Sequence, residues 1–284
     1  MGEINNSMFD HFLITRFNLK NNDWNVDKND NVICDKDWLN FRFDIFEKTC
    51  FNSIKNQNNL NFKWLVYYDI ETPNNFKKHI ESLNNDFPQF IPIYKESNQI
   101  FLNDLSKDIK RFSNNKEYII TTRIDNDDAF HYQAIEKIQE QFNYQDSTII
   151  NLPWIVCFDL INKRMSKHFY VSNPFISLID KNNNGSFQTV FVKQHNDWRK
   201  SHEIVNINDN KAYCFQLIHE RNIYNEMVGE LFYDKEIKKQ FNLLIDIKTG
   251  VLYPFYVAVS KLKIVGKKTI KFIHRVLRKI LKFK

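Results

Sequence analysis

Strand-like and helix-like runs alternate through the first half of this chain, and that alternation restricts the fold more than any other feature. Residues 11–16, 63–68, 90–94 and 118–124 are short, apolar and rich in β-branched and aromatic side chains, which reads as buried strands. Residues 38–56, 74–84, 100–112 and 129–142 instead carry apolar residues at helical spacing. Repetition of this kind builds a mostly parallel central sheet flanked by helices, an α/β architecture. Beyond residue 142 the pattern changes. Residues 148–160 and 167–171 look like a hairpin turning at Asn162-Lys163, and mixed elements follow to about residue 242.

The strand at 118–124 runs straight into Asp125-Asn126-Asp127-Asp128. Three carboxylates in four positions repel one another unless a cation neutralises them. Oxygen-only ligands suit Mg²⁺ or Mn²⁺, and Mg²⁺ is usually held by one or two carboxylates plus the phosphates of a substrate. The carboxyl end of an α/β sheet is also where nucleotides bind. The same four residues also read as a solvated turn and the N-cap of a helix beginning near Ala129, because Asp and Asn are favoured there. An EF-hand does not fit, since its obligatory glycine position, counted from Asp125, holds Phe130.

Composition supports one α/β domain followed by a tail. The chain is 43% hydrophobic, with 26 Phe, which supplies a core, and its 26% charged fraction argues against general disorder. Cys34, Cys50, Cys157 and Cys214 show no paired metal spacing and read as thiols of a reducing compartment. The first residues lack a basic stretch followed by an apolar core, so a secretory signal is not expected. No run reaches the roughly 18 apolar residues of a membrane-spanning helix.

Ten positive charges fall within residues 261–284, and no acidic residue follows Asp246. Without those ten, the net charge of +6 becomes −4. At about 100° per residue, Ile270, Ile273, Val276, Leu277, Ile280 and Leu281 share one face, while Lys268, Lys271, Arg275, Arg278, Lys279 and Lys282 lie opposite. A basic amphipathic helix over 255–284 is therefore expected, binding an anionic membrane surface through residues 261–284. Packing of its apolar face on the rest of the chain is the other reading. Nucleic acid is not an expected partner, because the remaining chain is acidic and carries no recognition module.

Several segments, in order, resemble the nucleotide-sugar glycosyltransferases of the GT-A fold, family-2 type. The stretch from His11 to Phe17-Asn18 is similar to the family's first strand and nucleotide loop. Ser53-Ile54 with Gln57 resembles its first helix, and the strand closing at Asp69 its second strand. Ile124-Asp125-Asn126-Asp127-Asp128 falls on its DxD segment. More narrowly, Arg42 after Trp38, Thr122-Arg123-Ile124, Asn173-Pro174-Phe175, and His219 with Asn222 are similar to bacterial rhamnosyltransferases. The chain departs from the broader family at Phe101 to Asn115, which has no Ala-Arg-Asn-x-Gly-like element.

That resemblance implies a GT-A domain over 8–245, with 8–128 as the nucleotide-sugar half and 129–245 as the acceptor half. It implies that Thr15 and Phe17 line the base pocket, that Asp69 accepts a hydrogen bond from base or ribose, and that Asp125 positions the ribose or assists the metal. Arg123 either pairs with Asp125 or meets a substrate group. Asp127, Asp125 and His219 are the expected ligands of Mg²⁺ or Mn²⁺, with His195 competing for the auxiliary role. Arg42 reads either as a surface arginine or as a phosphate ligand. Inverting transfer needs a further carboxylate as base; the candidates are Asp180, Asp197 and Glu203, and Asp197 is preferred for its flanking His195 and Trp198. The expected activity is metal-dependent transfer of a sugar, rhamnose by resemblance, from a nucleotide-sugar donor to a glycan or lipid-linked acceptor. It would take place in the cytoplasm, on the inner face of the membrane. A Mg²⁺-dependent phosphohydrolase or nuclease, and a non-catalytic glycan-binding protein, are the alternatives.

Overall fold

In the computed structural model, which describes residues 8–21, 35–222 and 226–262, the first strand, β1 (Phe9–Arg16), is buried along nearly its whole length. Such a strand must be covered on both faces. It lies between β2 (Lys63–Asp69) and β4 (Tyr118–Arg123), both parallel to it, and β3 (Phe90–Lys95) extends the sheet beyond β2. The crossovers are α3 (Asn74–Asp86) and α4 (Asn98–Phe112), as expected. The helical run before β2 comprises α1 (Lys36–Phe46), a π-turn at Glu47–Phe51 and α2 (Asn52–Lys55). Asp35 caps it by accepting the Trp38 N–H at 2.7 Å.

Residues downstream of the acidic cluster complete the same sheet. Its order is β10-β6-β9-β4-β1-β2-β3, where β6 is Thr148–Asn151, β9 is Ser177–Lys181 and β10 is Ile204–Asn206. Only β9 runs antiparallel to its neighbours. Three strands of the central sheet thus follow residue 128 in the chain. A second sheet has the order β12-β8-β7-β11-β5, from β5 (Ala129–Phe130), β7 (Trp154–Asp159), β8 (Arg164–Phe169), β11 (Cys214–Ile218) and β12 (Glu230–Leu231).

Two local expectations need correction. The helix expected over 129–142 shrinks to α5 (Ala134–Gln139), because Ala129 and Phe130 pair with Phe215 and Cys214 of β11. The Asp128 carboxylate, instead of capping a helix, accepts the Leu217 N–H at 3.1 Å. The run 148–160 is two strands in different sheets, divided at Leu152-Pro153, where proline cannot donate to a ladder. The expected hairpin does exist between β7 and β8. Asp159 closes its turn by accepting the Ile161 and Asn162 N–H groups at 3.0 and 2.9 Å, and Lys163 takes φ +52°.

Strand alternation sorts the core. Leu13, Trp64, Val66 and Tyr68 join Phe43, Phe46 and Phe90 on one face, while Phe12, Ile14, Leu65 and Tyr67 pack on Phe101, Leu105 and Ile109 of α4 on the other. Cys50, Cys157 and Cys214 are buried free thiols, pushed up by burial, and Cys34 lies outside the described residues. Residues 253–262 are helical and dock through Val257 and Tyr253, whose hydroxyl donates to the Met165 carbonyl at 2.6 Å. Most of the expected amphipathic tail, residues 263–284, lies outside the described residues. No helix among the described residues is long and apolar enough to cross a membrane.

Candidate functional site

The carboxyl ends of β1, β2 and β4 meet at the acidic cluster, and each of its residues has a different partner. Asn126 locks the loop to the end of β1, donating from Nδ2 to the carbonyls of Phe17 and Arg16 at 2.8 and 3.2 Å. Its Oδ1 accepts from Arg42 at 3.0 Å. The same Arg42 nitrogen pairs with Asp127 Oδ2 at 2.7 Å, with both side chains 8% exposed. Arg42 reaches the cluster because positions 39, 42, 43 and 46 form the buried face of α1, so the surface reading of this arginine is wrong. Its guanidinium lies 4.8 Å from the Trp38 ring centre.

Asp127 is held by three side chains at once. His219, directly after β11, donates from Nε2 to Asp127 Oδ2 at 3.0 Å, and Asn222 donates to the same oxygen at 3.0 Å. His219 Nδ1 accepts the Arg221 N–H at 3.2 Å, which assigns the Nε2–H tautomer from the network. Burial opposes ionisation of Asp127, but Arg42 and His219 outweigh it and hold the carboxyl below the usual carboxylate range. Burial, reinforced by Asp127 and Asp125, pushes neighbouring Asp128 well above that range.

These residues do not fit a divalent ion held by Asp127 and His219. The Oδ2 of Asp127 already faces three donors, one of them a guanidinium, and both ring nitrogens of His219 are engaged. Asp128 is 1% exposed and accepts a backbone N–H, which leaves Asp125, with a side chain 46% exposed, as the open carboxylate of the cluster. Among the described residues, no three His, Cys, Asp or Glu side chains converge on a metal position.

On the β2 side, Asp69 ends the strand at the carboxyl edge of the sheet. Its Oδ1 accepts the Glu71 N–H at 2.7 Å, its own N–H donates to Asn18 Oδ1 at 3.2 Å, and its Oδ2 is buried without a partner. An orphaned buried carboxylate oxygen is costly in the free protein and is a ready acceptor for a ligand. Thr15 and Phe17 do not line this pocket. Thr15 Oγ1 accepts the Trp64 indole N–H at 2.9 Å, and Phe17 is enclosed by Phe43, Phe46 and Tyr68 at 4.5 to 5.1 Å. Both point to the aromatic face of the sheet, opposite in parity to Arg16.

Arg123, 7% exposed, has among the described residues one long ion contact, to Asp125 at 3.8 Å, and its Nε is buried without a partner. Arg16, which sequence reasoning passed over, ends β1 on the same face, since Ile14 is the register partner of Arg123. The parity of Arg16 with Ile14 was the signal available for it. His195 Nδ1 bonds the Ser172 carbonyl at 2.8 Å, and burial lowers its pKa, so the ring is neutral beside Arg123 and Asp125.

The three candidate bases separate by position. Asp180 pairs in register with Ile119, near the start of β4, some six residues or about 20 Å from the cluster. Glu203 likewise precedes β10, whose first residue is level with Ile149 near the start of β6. Asp197 follows the His195 loop at the cluster's end of the sheet and accepts from Lys200 at 2.6 Å. That bond and the lysine's charge hold its carboxyl below the usual range.

Comparison with known proteins gives a family and a set of structural likenesses. The family model described as "Putative rhamnosyl transferase" matches residues 10–154. No curated protein sequence matches the chain. Among solved structures, S. aureus TarS 1–349 is similar over 73% of this chain and 60% of that one, at 13% identity and TM-score 0.44. The same protein in complex with UDP-GlcNAc gives 75% and 60% coverage, 12% identity and TM-score 0.42. A "putative nucleotide-diphospho-sugar transferase" from Desulfovibrio desulfuricans G20 gives 76% and 83% coverage, 7% identity and TM-score 0.37. The chain thus spans 60% of the length of TarS 1–349.

Proposed function

This chain belongs to that rhamnosyl transferase family of glycosyltransferases, and from that premise we propose that its α/β fold is of GT-A type and that it transfers a sugar from a nucleoside-diphosphate donor to a hydroxyl. The single observation that carries the donor site is the buried, unpartnered Asp69 Oδ2 at the carboxyl end of β2. It accepts a hydrogen bond from the base or ribose, with Asn18 and Thr72 fixing the surrounding loop.

Departure of the nucleoside diphosphate builds negative charge, so groups that meet this charge more strongly in the transition state accelerate the reaction. Arg123, buried at the end of β4, and the half-buried Arg16 at the end of β1 supply fixed positive charge there. The acceptor enters from the side of the His195 loop, where Asp197 or neutral His195 takes the hydroxyl proton and the sugar inverts. Lys200 must release Asp197 for that carboxylate to act as base. Rhamnose is the sugar suggested by the family, and a glycan or lipid-linked glycan is the acceptor we favour.

The membrane reading gains support from residues just before the basic tail. Val251, Leu252, Phe255, Tyr256 and Leu262 are 96, 77, 71, 59 and 70% exposed, an apolar ridge that leads into the cationic segment 261–284. Attachment to the cytoplasmic face of an anionic membrane is the reading that this ridge supports.

The test is a thermal-shift panel of UDP, dTDP and GDP and their sugars, run on wild type and Asp69→Asn. One nucleotide raising the wild-type melting point, with the shift lost in the variant, supports the donor site. No shift with any nucleotide overturns it.

A further inference from the structure

Building on that donor reading, we infer that Arg16 and Arg123, both packed on Phe191, form a metal-independent clamp for the diphosphate of the donor. The two guanidinium carbons lie 5.4 and 5.3 Å from the centre of the same ring. Phe191 is itself fixed edge-on against Phe101 of α4 at 5.2 Å. Both arginines are therefore held in place before any ligand arrives, which reduces the ordering cost of binding.

Their charges are poorly matched in the free protein. Arg16 donates to the neutral side chain of Asn98 at 3.2 Å and has no ion pair among the described residues. Arg123 has the 3.8 Å contact with half-exposed Asp125 and a buried Nε with no partner. Burial, and then the charge of Arg123, lower the Arg16 pKa to about 10 against the opposing charge of Asp125. A group bringing two or more negative charges and several acceptor oxygens resolves that imbalance, and guanidinium forks match phosphate oxygens.

Placement agrees with a nucleoside diphosphate. Asp69, Arg16 and Arg123 end the adjacent strands β2, β1 and β4, and their register puts all three on one face of the sheet. From β2 to β4 is two strand spacings, roughly 10 Å, a span suited to a nucleoside at Asp69 and its diphosphate at the arginines. The opposite face is where Arg42, His219 and Asn222 tie up Asp127. The guanidinium pair thus occupies the role expected of a divalent ion at Asp127.

Calorimetric titration of the full chain with UDP, dTDP and GDP, in EDTA and in Mn²⁺, tests the clamp. One of the three is expected to bind in EDTA, with Mn²⁺ changing its Kd by less than about threefold, and inorganic pyrophosphate is expected to compete with it in EDTA. Arg16→Gln and Arg123→Gln should each weaken the nucleotide by about 10- to 100-fold, the scale of charge-assisted hydrogen bonds. The corresponding nucleoside should bind these variants as it binds wild type, and Arg16→Lys should retain part of the affinity. Binding that appears only with Mn²⁺, or no competition by pyrophosphate in EDTA, overturns the clamp and leaves the donor reading intact. Binding of no nucleotide in either buffer overturns both.

Discussion

Replacing Arg42 by Met removes the charge facing Asp127, and with it the guanidinium over the Trp38 ring, while keeping most of the aliphatic stem. At 2.7 Å and an effective dielectric near 20, the pair attracts by about 6 kcal/mol before desolvation is counted. Breaking a buried pair from one side typically costs about 3–5 kcal/mol, because the remaining charge is left in a poorly solvating site. His219 and Asn222 still bond Asp127 in the variant, which argues for the low end, about 3 kcal/mol. For a chain of this size that is a fall in melting temperature of roughly 6–12 °C. Asp127→Asn leaves the Arg42 guanidinium unpaired in the same buried site and should cost a comparable amount, and Arg42→Met/Asp127→Asn should be more stable than the sum of the two losses by about 2 kcal/mol. The pH dependence gives a second check. Asp127's folded pKa is depressed, so its contribution is full above the unfolded carboxylate range and is lost as pH falls through the folded value. Without Arg42 the folded pKa rises, so the gap between Arg42→Met and wild type should narrow as pH falls toward about 4. A loss below about 1 kcal/mol, or strict additivity in the double variant, would refute the reasoning.

Three other outcomes are expected. Asp69→Asn keeps an acceptor for the Glu71 N–H and removes the charge on the orphaned oxygen, so it should melt no lower than wild type while nucleotide affinity falls about tenfold or more, measured by thermal shift and calorimetry. His11 is buried between Thr122 Oγ1 at 2.8 Å and the Gln139 amide at 3.0 Å, and burial lowers its pKa to about 3. Its neutral form is the one that fits, so stability is full above pH 6.5 and falls as pH drops from there toward 3; urea unfolding should show about 2 kcal/mol less stability at pH 5 than at pH 8 from this group, a slope that His11→Gln removes. Leu252→Ser/Phe255→Ser should weaken sedimentation with anionic vesicles by about tenfold and leave the melting temperature unchanged, since both side chains are exposed; equal binding would remove the ridge from the membrane reading.

Short-range chemistry explains which features could be read from the chain alone. Local apolar periodicity was enough for the four parallel strands β1 to β4 and their crossover helices, because each buried strand and each amphipathic helix carries its own pattern. The turn at Asn162-Lys163 was legible for the same reason, its signal lying within four residues. The helix expected at 129–142 failed because Ala129 and Phe130 take their partners from β11, more than eighty residues away. Asp69 could be picked out as the polar residue ending a buried strand, whereas Thr15 and Phe17 could not be told from pocket residues without knowing that Trp64, Phe43 and Phe46 close over them.

By itself, the order of residues determined the α/β sheet, the strand-end position of the acidic cluster and the charge asymmetry of the tail, since each of these is written in neighbouring side chains. Tertiary structure alone decided what the cluster does. Arg42, Asn126, Asp127, His219 and Asn222 come from three distant stretches of chain, and whether Asp127 meets a cation from solvent or a guanidinium from α1 depends on which face of that helix turns inward. The same holds for Arg16, Arg123 and Phe191. Two like charges become a site only when folding brings them to one ring, against their mutual repulsion.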